Sequence, residues 1–114
     1  MPSVTTRALS LLFRVTRKRQ MSTPERARKR IAAPKDDSAP PAPMRHAYRV
    51  TEREVGGFPV YTVRPKEGPE PGKAVLHLHG GAYVSSITPW HWRLVALMAD
   101  QGCRVEVPLY GLAP

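Results

Sequence analysis

A short, unbroken apolar run at residues 74–78 restricts the possible folds of this chain more than any other feature. A glycine pair at 80–81 follows it, and then a segment from Thr88 to Gly102 that carries helix start and stop signals. A second short strand pattern comes next, at 104–107. The apolar run predicts a strand buried on both faces, and the order strand–helix–strand predicts a parallel pair joined by a right-handed crossover.

Two segments before this unit predict an antiparallel hairpin. Residues 48–54 alternate in the manner of an exposed strand, and residues 59–64 form its predicted partner, with Gly56 and Gly57 between them. A glycine pair between two strand patterns favours a tight turn, because glycine tolerates the positive φ angles that such turns require. The predicted fold class is therefore α/β, with an antiparallel edge hairpin followed by a strand–helix–strand unit.

Charge divides the chain into two regions. The 114 residues include 18 Lys and Arg against 9 Asp and Glu, a formal net charge of +9. Residues 1–49 hold 12 of the basic and 3 of the acidic side chains, so the net charge belongs to this region alone. The predicted domains are a basic helical arm with a Pro-rich linker over 1–49 and a compact body over 50–114. A basic arm on a neutral body implies a different kind of partner from a basic domain.

The arm is predicted to contain two helices. At 100° per residue, the seven apolar side chains from Val4 to Val15 fill one broad arc and most of the cations fill the remainder, a pattern typical of an amphipathic helix. A second, shorter helix is predicted to follow, with Ser22 or Thr23 as its cap and Pro24 in its first turn. The prolines between residues 34 and 43 are interpreted as excluding a helix and favouring an extended linker.

The loop after the first apolar run carries the clearest chemistry. Two glycines directly after a strand allow the backbone to approach a ligand closely and leave N–H groups free to face it. Such N–H groups can stabilise negative charge that develops on an oxygen atom. The full sequence of this loop is His79-Gly80-Gly81-Ala82-Tyr83-Val84.

A second motif follows at the spacing of one helix and one strand. It runs Val107-Pro108-Leu109-Tyr110-Gly111-Leu112-Ala113-Pro114. Together the two motifs resemble the α/β-hydrolase esterases and lipases similar to hormone-sensitive lipase, whose HGGG-type oxyanion loop lies between a strand and the first main helix. The resemblance covers about residues 55–114 well and implies the N-terminal portion of an α/β-hydrolase fold.

The resemblance assigns roles to four residues. The backbone N–H groups of Gly81 and Ala82 match the oxyanion-hole donors of the family, and His79 and Gly80 match the residues that support the loop. Ala82 stands where the family most often has glycine. Because alanine disfavours positive φ, the loop is expected to use an ordinary φ at that position.

One hallmark of the family has no match. No G-x-S-x-G sequence occurs, and none of the serines, including Ser85 and Ser86, lies between glycines at that spacing. In this family the triad follows the oxyanion loop in the order Ser, Asp or Glu, His. The expectation is an N-terminal fragment of a serine carboxylic ester hydrolase that lacks the catalytic triad and is inactive alone. The alternative is a non-catalytic basic membrane-associating or interaction module built on part of a hydrolase fold.

Other chemically capable residues have structural interpretations. His77 and His79 could suggest a metal pair, but no third ligand stands at a suitable spacing, so no metal is predicted. No cofactor is predicted either. The remaining residues are expected to pack or to lie on the solvated surface: His91, Trp90, Trp92, Cys103, Asp100 and Glu106.

The sequence is compatible with three roles for the basic arm. In the resembling family such an element contributes to a lid over the active site. Residues 1–20 could instead rest on an anionic membrane surface, and non-specific nucleic-acid binding is the weakest option because no aromatic residue accompanies the arginines of 17–30. The substrate of the complete enzyme is expected to be a small-molecule ester. A cytoplasmic or peripheral-membrane location is predicted, with organellar targeting as an open alternative.

Overall fold

The computed structural model describes residues 1, 3–20, 22–35 and 38–113. Pro114, the last residue of the second motif, and Asp36 and Asp37 of the predicted linker lie outside the described residues. The chain divides into two compact units, residues 1–34 and 35–113. Among the described residues, no helix is both long enough and apolar enough to cross a membrane.

The first unit consists of the two predicted helices. Helix α1 spans Val4–Gln20 and helix α2 spans Pro24–Ala32. The side chain of Thr23 caps α2 by accepting a hydrogen bond of 3.2 Å from the backbone N–H of Arg26, and a proline stands in the first turn. Both signals were present in the sequence, because a hydroxyl before a Pro-led segment satisfies an N–H that the first turn leaves unpaired.

The second unit is a four-stranded sheet with two helices. Its elements are α3 (Ala42–Ala47), β1 (Tyr48–Val55), β2 (Phe58–Pro65), β3 (Lys73–Leu76), α4 (Pro89–Asp100) and β4 (Cys103–Pro108). The strand order is β1-β2-β4-β3, with β1, β2 and β4 antiparallel and β3 parallel to β4. This arrangement confirms the predicted α/β class, the edge hairpin and the strand–helix–strand unit.

The core lies where α4 packs on the sheet. Val63 of β2, Val95 of α4, and Val105 and Val107 of β4 are completely buried. Trp92 fills the space beside them and meets the ring of Tyr61 edge to face, with centroids 5.9 Å apart. The hairpin turn at Gly56 and Gly57 takes φ angles of 60° and 86°, as a tight two-residue connection requires.

The interpretation of residues 40–43 as helix-free linker was wrong. Helix α3 begins at Ala42 and carries Pro43 in its first turn. Proline is tolerated there because the N–H groups of the first turn make no hydrogen bond within the helix. Met44 of this helix is buried in the main core cluster. The unit therefore begins before residue 50, since the helix that precedes β1 packs against the sheet.

The prediction that residues 74–78 are buried on both faces was also wrong for the described chain. Strand β3 ends at Leu76, lies at the edge of the sheet and pairs with β4 alone among the described strands. Leu76 and Leu78 are 65% and 61% exposed. The apolar pattern is real, but within the described residues nothing covers its outer side.

Candidate oxyanion site

The glycine loop begins where β3 stops. The N–H of His77 donates to the carbonyl of Glu106 over 2.8 Å, which extends the parallel pairing by one residue. The chain then leaves the sheet at the carboxyl end of the strand and turns through residues 79–85 before α4 begins. In open α/β sheets, ligands bind outside the carboxyl ends of the strands, and this loop occupies that place.

The backbone of the loop is bent by three successive positive φ angles. They are 134° at Gly81, 54° at Ala82 and 58° at Tyr83. The expectation of an ordinary φ at Ala82 was therefore wrong. A tight turn closes the loop, since the N–H groups of Val84 and Ser85 both donate to the carbonyl of Gly81 over 3.1 Å. Ala82 and Tyr83 adopt an unfavourable φ because the hydrogen bonds of this turn fix the path of the backbone through them.

Gly81 is required by space as well as by φ. A Cβ at this position would lie 2.8 Å from the carbonyl oxygen of Ser85 and 2.9 Å from its Cβ. Neither atom is the end of a flexible chain that could move away. At Gly80, by contrast, a Cβ would meet no atom within 4 Å.

The predicted oxyanion donors have no other partner in the described part of the chain. The backbone N–H groups of Gly81 and Ala82 donate no hydrogen bond there, and both residues are exposed. Two adjacent N–H groups of a bent backbone segment can bind a small anion or a negatively charged oxygen. The geometry therefore leaves both groups available for a ligand.

The second motif supports the first. The rings of His79 and Tyr110 stack with centroids 4.6 Å apart and planes within 9°. The hydroxyl of Tyr110 donates to the carbonyl of His79, and the N–H of Ala113 donates to the carbonyl of Tyr83 over 2.7 Å. The two motifs found separately in the sequence thus hold one loop between them.

His79 itself is almost fully buried, at 4% exposed. Its Nδ1 lies 2.9 Å from the carbonyl oxygen of Gly80, and the tautomer with a proton on Nδ1 donates to that oxygen. The side chain therefore contacts the loop rather than the solvent. A supporting role for His79 in the loop stays a prediction, and the contacts of Tyr110 with His79 are a feature that the sequence pattern did not reveal.

Two further histidines lie beside His79. The ring centroid of His91, on the first turn of α4, lies 5.9 Å from that of His79 and 6.1 Å from that of His77. Burial, followed by the nearby charges of His91 and His79, lowers the pKa of His77. Burial and then the charge of His79 lower the pKa of His91. Both shifts favour the neutral form of His77 and of His91.

The histidine cluster does not form a metal site in the described residues, where no group of three or more His, Cys, Asp or Glu side chains could hold a metal ion. His91 has a different task. Its Nδ1 accepts the backbone N–H of Thr88 over 3.0 Å and also lies 2.9 Å from the Thr88 hydroxyl. The bond from the Thr88 N–H to the His91 ring is one half of a capping box at the start of α4, and the Thr88 side chain, which accepts from the backbone N–H of His91, is the other half.

The loop forms one wall of an open cleft of about 620 Å³. Its lining is largely apolar or aromatic outside the loop backbone and contains no Ser, Thr or Cys among the described residues. The residues around it are Phe58, Leu78, His79, Gly80, Gly81, Ala82, Tyr83, Pro108 and Tyr110. A cleft with this lining suits an apolar group attached to a polar atom that faces the loop.

The remaining candidates are mostly structural. Trp92 is buried, but Trp90 is 73% exposed, with the guanidinium of Arg93 5.1 Å from its ring centroid. Cys103 opens β4 and packs against the core. Asp100 accepts a hydrogen bond of 2.5 Å from the hydroxyl of Tyr48.

Glu106 has more partners than expected. Its carboxylate pairs with Arg53 over 2.8 Å and with Arg104 over 3.3 Å, and it accepts a bond of 2.9 Å from Thr62. Burial raises the pKa of Glu106, but the Arg53 and Thr62 hydrogen bonds and the two arginine charges outweigh this and lower it overall. The sheet register brings these residues together across three strands, which the sequence pattern alone could not show.

No protein-family model matches the sequence, and no curated protein matches it either. Among solved structures, a candidate esterase from Staphylococcus aureus is 20% identical with a TM-score of 0.58, over 69% of this chain and 26% of that one. The esterase rPPE, in a complex with (S)-Ac-CPA, is 24% identical with a TM-score of 0.50, over 75% of this chain and 26% of that one. The chain has a partial α/β-hydrolase fold.

This fold assignment rests on the two structures with the higher TM-scores. An esterase of the bacterial hormone-sensitive lipase family is also similar, with 26% identity and a TM-score of 0.46. Because this TM-score is low, that structure does not contribute to the fold assignment. The chain spans about a quarter of the length of the first two structures. The neighbours are esterases, and at these identities they establish the shared fold alone.

Proposed function

We propose that this chain is the N-terminal part of a serine carboxylic ester hydrolase and supplies its oxyanion loop. The observation that carries the proposal is the pair of exposed, unpaired N–H groups at Gly81 and Ala82, at the carboxyl end of a parallel strand. The esterase fold of the structural neighbours is consistent with it. The proposed substrate is a small-molecule ester with an apolar group that fits the cleft beside the loop.

The chemistry follows from where charge develops. When a nucleophile adds to an ester carbonyl, the carbon becomes tetrahedral and its oxygen becomes negative. The N–H groups of Gly81 and Ala82 donate to that oxygen more strongly than to the neutral carbonyl. Each such donor lowers the barrier by about 2.7–4 kcal/mol, because it is already oriented before the reaction. His79 and Tyr110 act as positioning residues, since they hold the loop and touch no reacting atom.

The donors are best tested by removing a single N–H without changing a side chain. Proline is unsuitable, because its φ of about −65° cannot match the positive angles of this loop. Glycolic acid in place of Gly81, and lactic acid in place of Ala82, exchange the backbone N–H for an oxygen and keep the side chain. These residues are introduced into a hybrid in which residues 35–114, which include the whole second unit, replace the matching part of the esterase rPPE.

The proposal expects kcat for p-nitrophenyl butyrate to fall by about 10²–10³ at either position. Glycolic acid in place of Gly72, an exposed glycine outside both motifs, is the matched control and should leave kcat within about twofold of the parent hybrid. Equal loss at Gly81 and Gly72, in hybrids with the same circular dichroism, would refute the oxyanion assignment.

The alternative function is a non-catalytic basic membrane-associating or interaction module built on part of a hydrolase fold. The two functions differ in what the gene encodes beyond the codon for Pro114. A frame that continues into a G-x-S-x-G sequence supports the hydrolase. A stop codon at that point favours the module, because no nucleophile would then be encoded in the same chain to use the loop.

A further inference from the structure

Helix α1 presents an apolar face that nothing among the described residues of its own unit covers. Every side chain of this helix is exposed, and none is buried. On a helical projection the apolar arc covers roughly 200° and is centred near Leu12. Its large members are between 50% and 84% exposed: Val4, Leu9, Leu11, Leu12, Phe13 and Val15. A face of this size exposed to water is unfavourable unless a partner covers it.

Cations border this face on both sides. On the same projection Arg7 and Lys18 flank one edge of the apolar arc, Arg17 flanks the other, and Arg14 lies opposite. Arg19, in the last turn, is the one cation of α1 that falls on the apolar side. Helix α1 has no acidic residue in its first turn and three cations in its last. An apolar arc with cations at its edges is the pattern of a helix that lies in a membrane interface, where the cations reach the lipid phosphates.

The second helix adds charge to the same unit. Residues 1–34 carry nine basic side chains and one acidic side chain, Glu25. The guanidinium of Arg26 donates to the carbonyl of Arg19 and to the hydroxyl of Ser22, both over 3.3 Å, which joins the end of α1 to the start of α2. A shallow cleft at this junction is lined by four cations, Arg19, Arg26, Lys29 and Arg30.

We propose that residues 1–34 form a docking element for an anionic phospholipid surface, with the apolar arc of α1 inserted and the cations of both helices at the headgroups. The charge of the unit is complementary to such a surface, and the apolar arc supplies the second signal that stable interfacial binding requires. Nucleic acid would satisfy the cations but leave the apolar arc exposed, and no aromatic side chain accompanies the arginines between residues 17 and 30. This proposal is independent of the hydrolase assignment.

The test uses the full 114-residue chain and flotation of vesicles in a density gradient, because aggregated protein sinks while vesicle-bound protein rises. Vesicles of phosphatidylcholine alone are compared with vesicles containing about 30% phosphatidylserine. We expect partition at least about tenfold stronger on the anionic vesicles, and a decline when salt rises from about 0.05 M to about 0.5 M.

Two variants separate the two signals, each with a control of equal chemistry in the second unit. Leu12→Asp removes an apolar contact at the centre of the arc and should lower partition by about 10–100-fold, whereas Leu97→Asp, on the exposed side of α4, should not. The triple variant Arg7→Gln/Arg17→Gln/Lys18→Gln, which changes the cations at the edges of the arc, should lower partition by about 100-fold, at about fivefold per cation. The triple variant Arg49→Gln/Lys73→Gln/Arg93→Gln changes the net charge equally and should have a far smaller effect.

Three results would overturn the proposal. Equal flotation with neutral and anionic vesicles would remove the electrostatic signal. Full binding by Leu12→Asp would show that the apolar arc is not inserted and that binding is only electrostatic attraction to a polyanion. Release from anionic vesicles by duplex DNA at an equal phosphate concentration would assign the arm to nucleic acid.

Discussion

At the scale of single residues, the glycine loop shows how a turn can override side-chain preference. Ala82 and Tyr83 both have φ near 55°, where a side chain with a Cβ is disfavoured by about 1–2 kcal/mol. The two N–H bonds to the carbonyl of Gly81, and the bond from Ala113 to Tyr83, hold them there. The sequence pointed to the position of the loop but not to this conformation, because the bond from Ala113 joins residues 30 apart in the chain.

Ala82→Gly should increase stability. Glycine adopts φ near 54° without strain, so the variant should raise the free energy of unfolding by about 0.5–1 kcal/mol despite the greater freedom of its unfolded chain. Urea titration followed by tryptophan fluorescence measures the change, since Trp92 is buried. Ala74→Gly, at an exposed position in β3, is the control and should lower stability. A loss of similar size in both variants would contradict the strain assigned to Ala82.

Gly81→Ala should do the opposite. The new Cβ would meet the Ser85 carbonyl at 2.8 Å in a conformation that alanine disfavours, so we expect a loss of about 2 kcal/mol or more. Gly80→Ala adds the same atom at the neighbouring residue, where it meets nothing within 4 Å, and should change stability by less than about 0.5 kcal/mol. The same titration compares the two variants. Equal effects would mean that Gly81 is not confined as described.

At the scale of elements, the sequence predicted those features that depend only on residues close together in the chain. The cap, first-turn proline and end of α4 were all readable, because each acts within a few residues of the helix end. The exposure of β3 and the core role of Met44 in α3 depend on which elements are neighbours in space. The periodicity of apolar residues in a sequence does not show which elements are neighbours in space. The convergence of His77, His79 and His91 likewise needed the packing of α4 on the sheet.

The histidine cluster makes the stability of the second unit depend on pH. The folded protein lowers the pKa of His77 and His91, while the unfolded chain keeps them near 6.5, so below that value the unfolded state binds more protons. The free energy of unfolding should therefore fall as pH decreases from about 7 to 5. Glu106, with its lowered pKa, adds a further loss only as pH falls below its ordinary value of 4.5.

Urea titrations between pH 7 and 5 check this dependence. The double variant His77→Gln/His91→Gln should flatten it, and glutamine at residue 91 can still serve the capping box. His46→Gln, at an exposed histidine of α3, is the matched control and should keep the dependence of the parent chain. A steep fall that survives in the double variant would show that other groups cause it.

At the scale of the whole chain, the sheet has an open apolar side. Strand β3 pairs only with β4 among the described strands, and Leu76, Leu78 and Leu97 are each more than half exposed. An unprotected strand edge with apolar neighbours promotes association between chains. The hydropathy of residues 74–78 predicted neighbours on both faces of the strand, but it could not tell whether the described chain supplies them.

The 114-residue chain alone should hydrolyse no ester above background. A loop that binds an oxyanion has nothing to stabilise until an activated nucleophile generates that charge, and the cleft lining includes no Ser, Thr or Cys. The measurement is p-nitrophenyl butyrate turnover by purified chain, with labelling by a fluorophosphonate probe. Stoichiometric labelling of Ser85 or Ser86 together with repeated turnover would contradict this expectation.

The stacking of Tyr110 on His79 has a consequence for the order of events during synthesis. The two residues are 31 positions apart, so the glycine loop leaves the ribosome well before the residues that hold it. Until Tyr110 and Ala113 have emerged and β4 has paired with β3, only the local bonds of Val84 and Ser85 to Gly81 favour the strained angles of Ala82 and Tyr83. The loop is therefore made early and shaped late, as one of the last features of this unit to form.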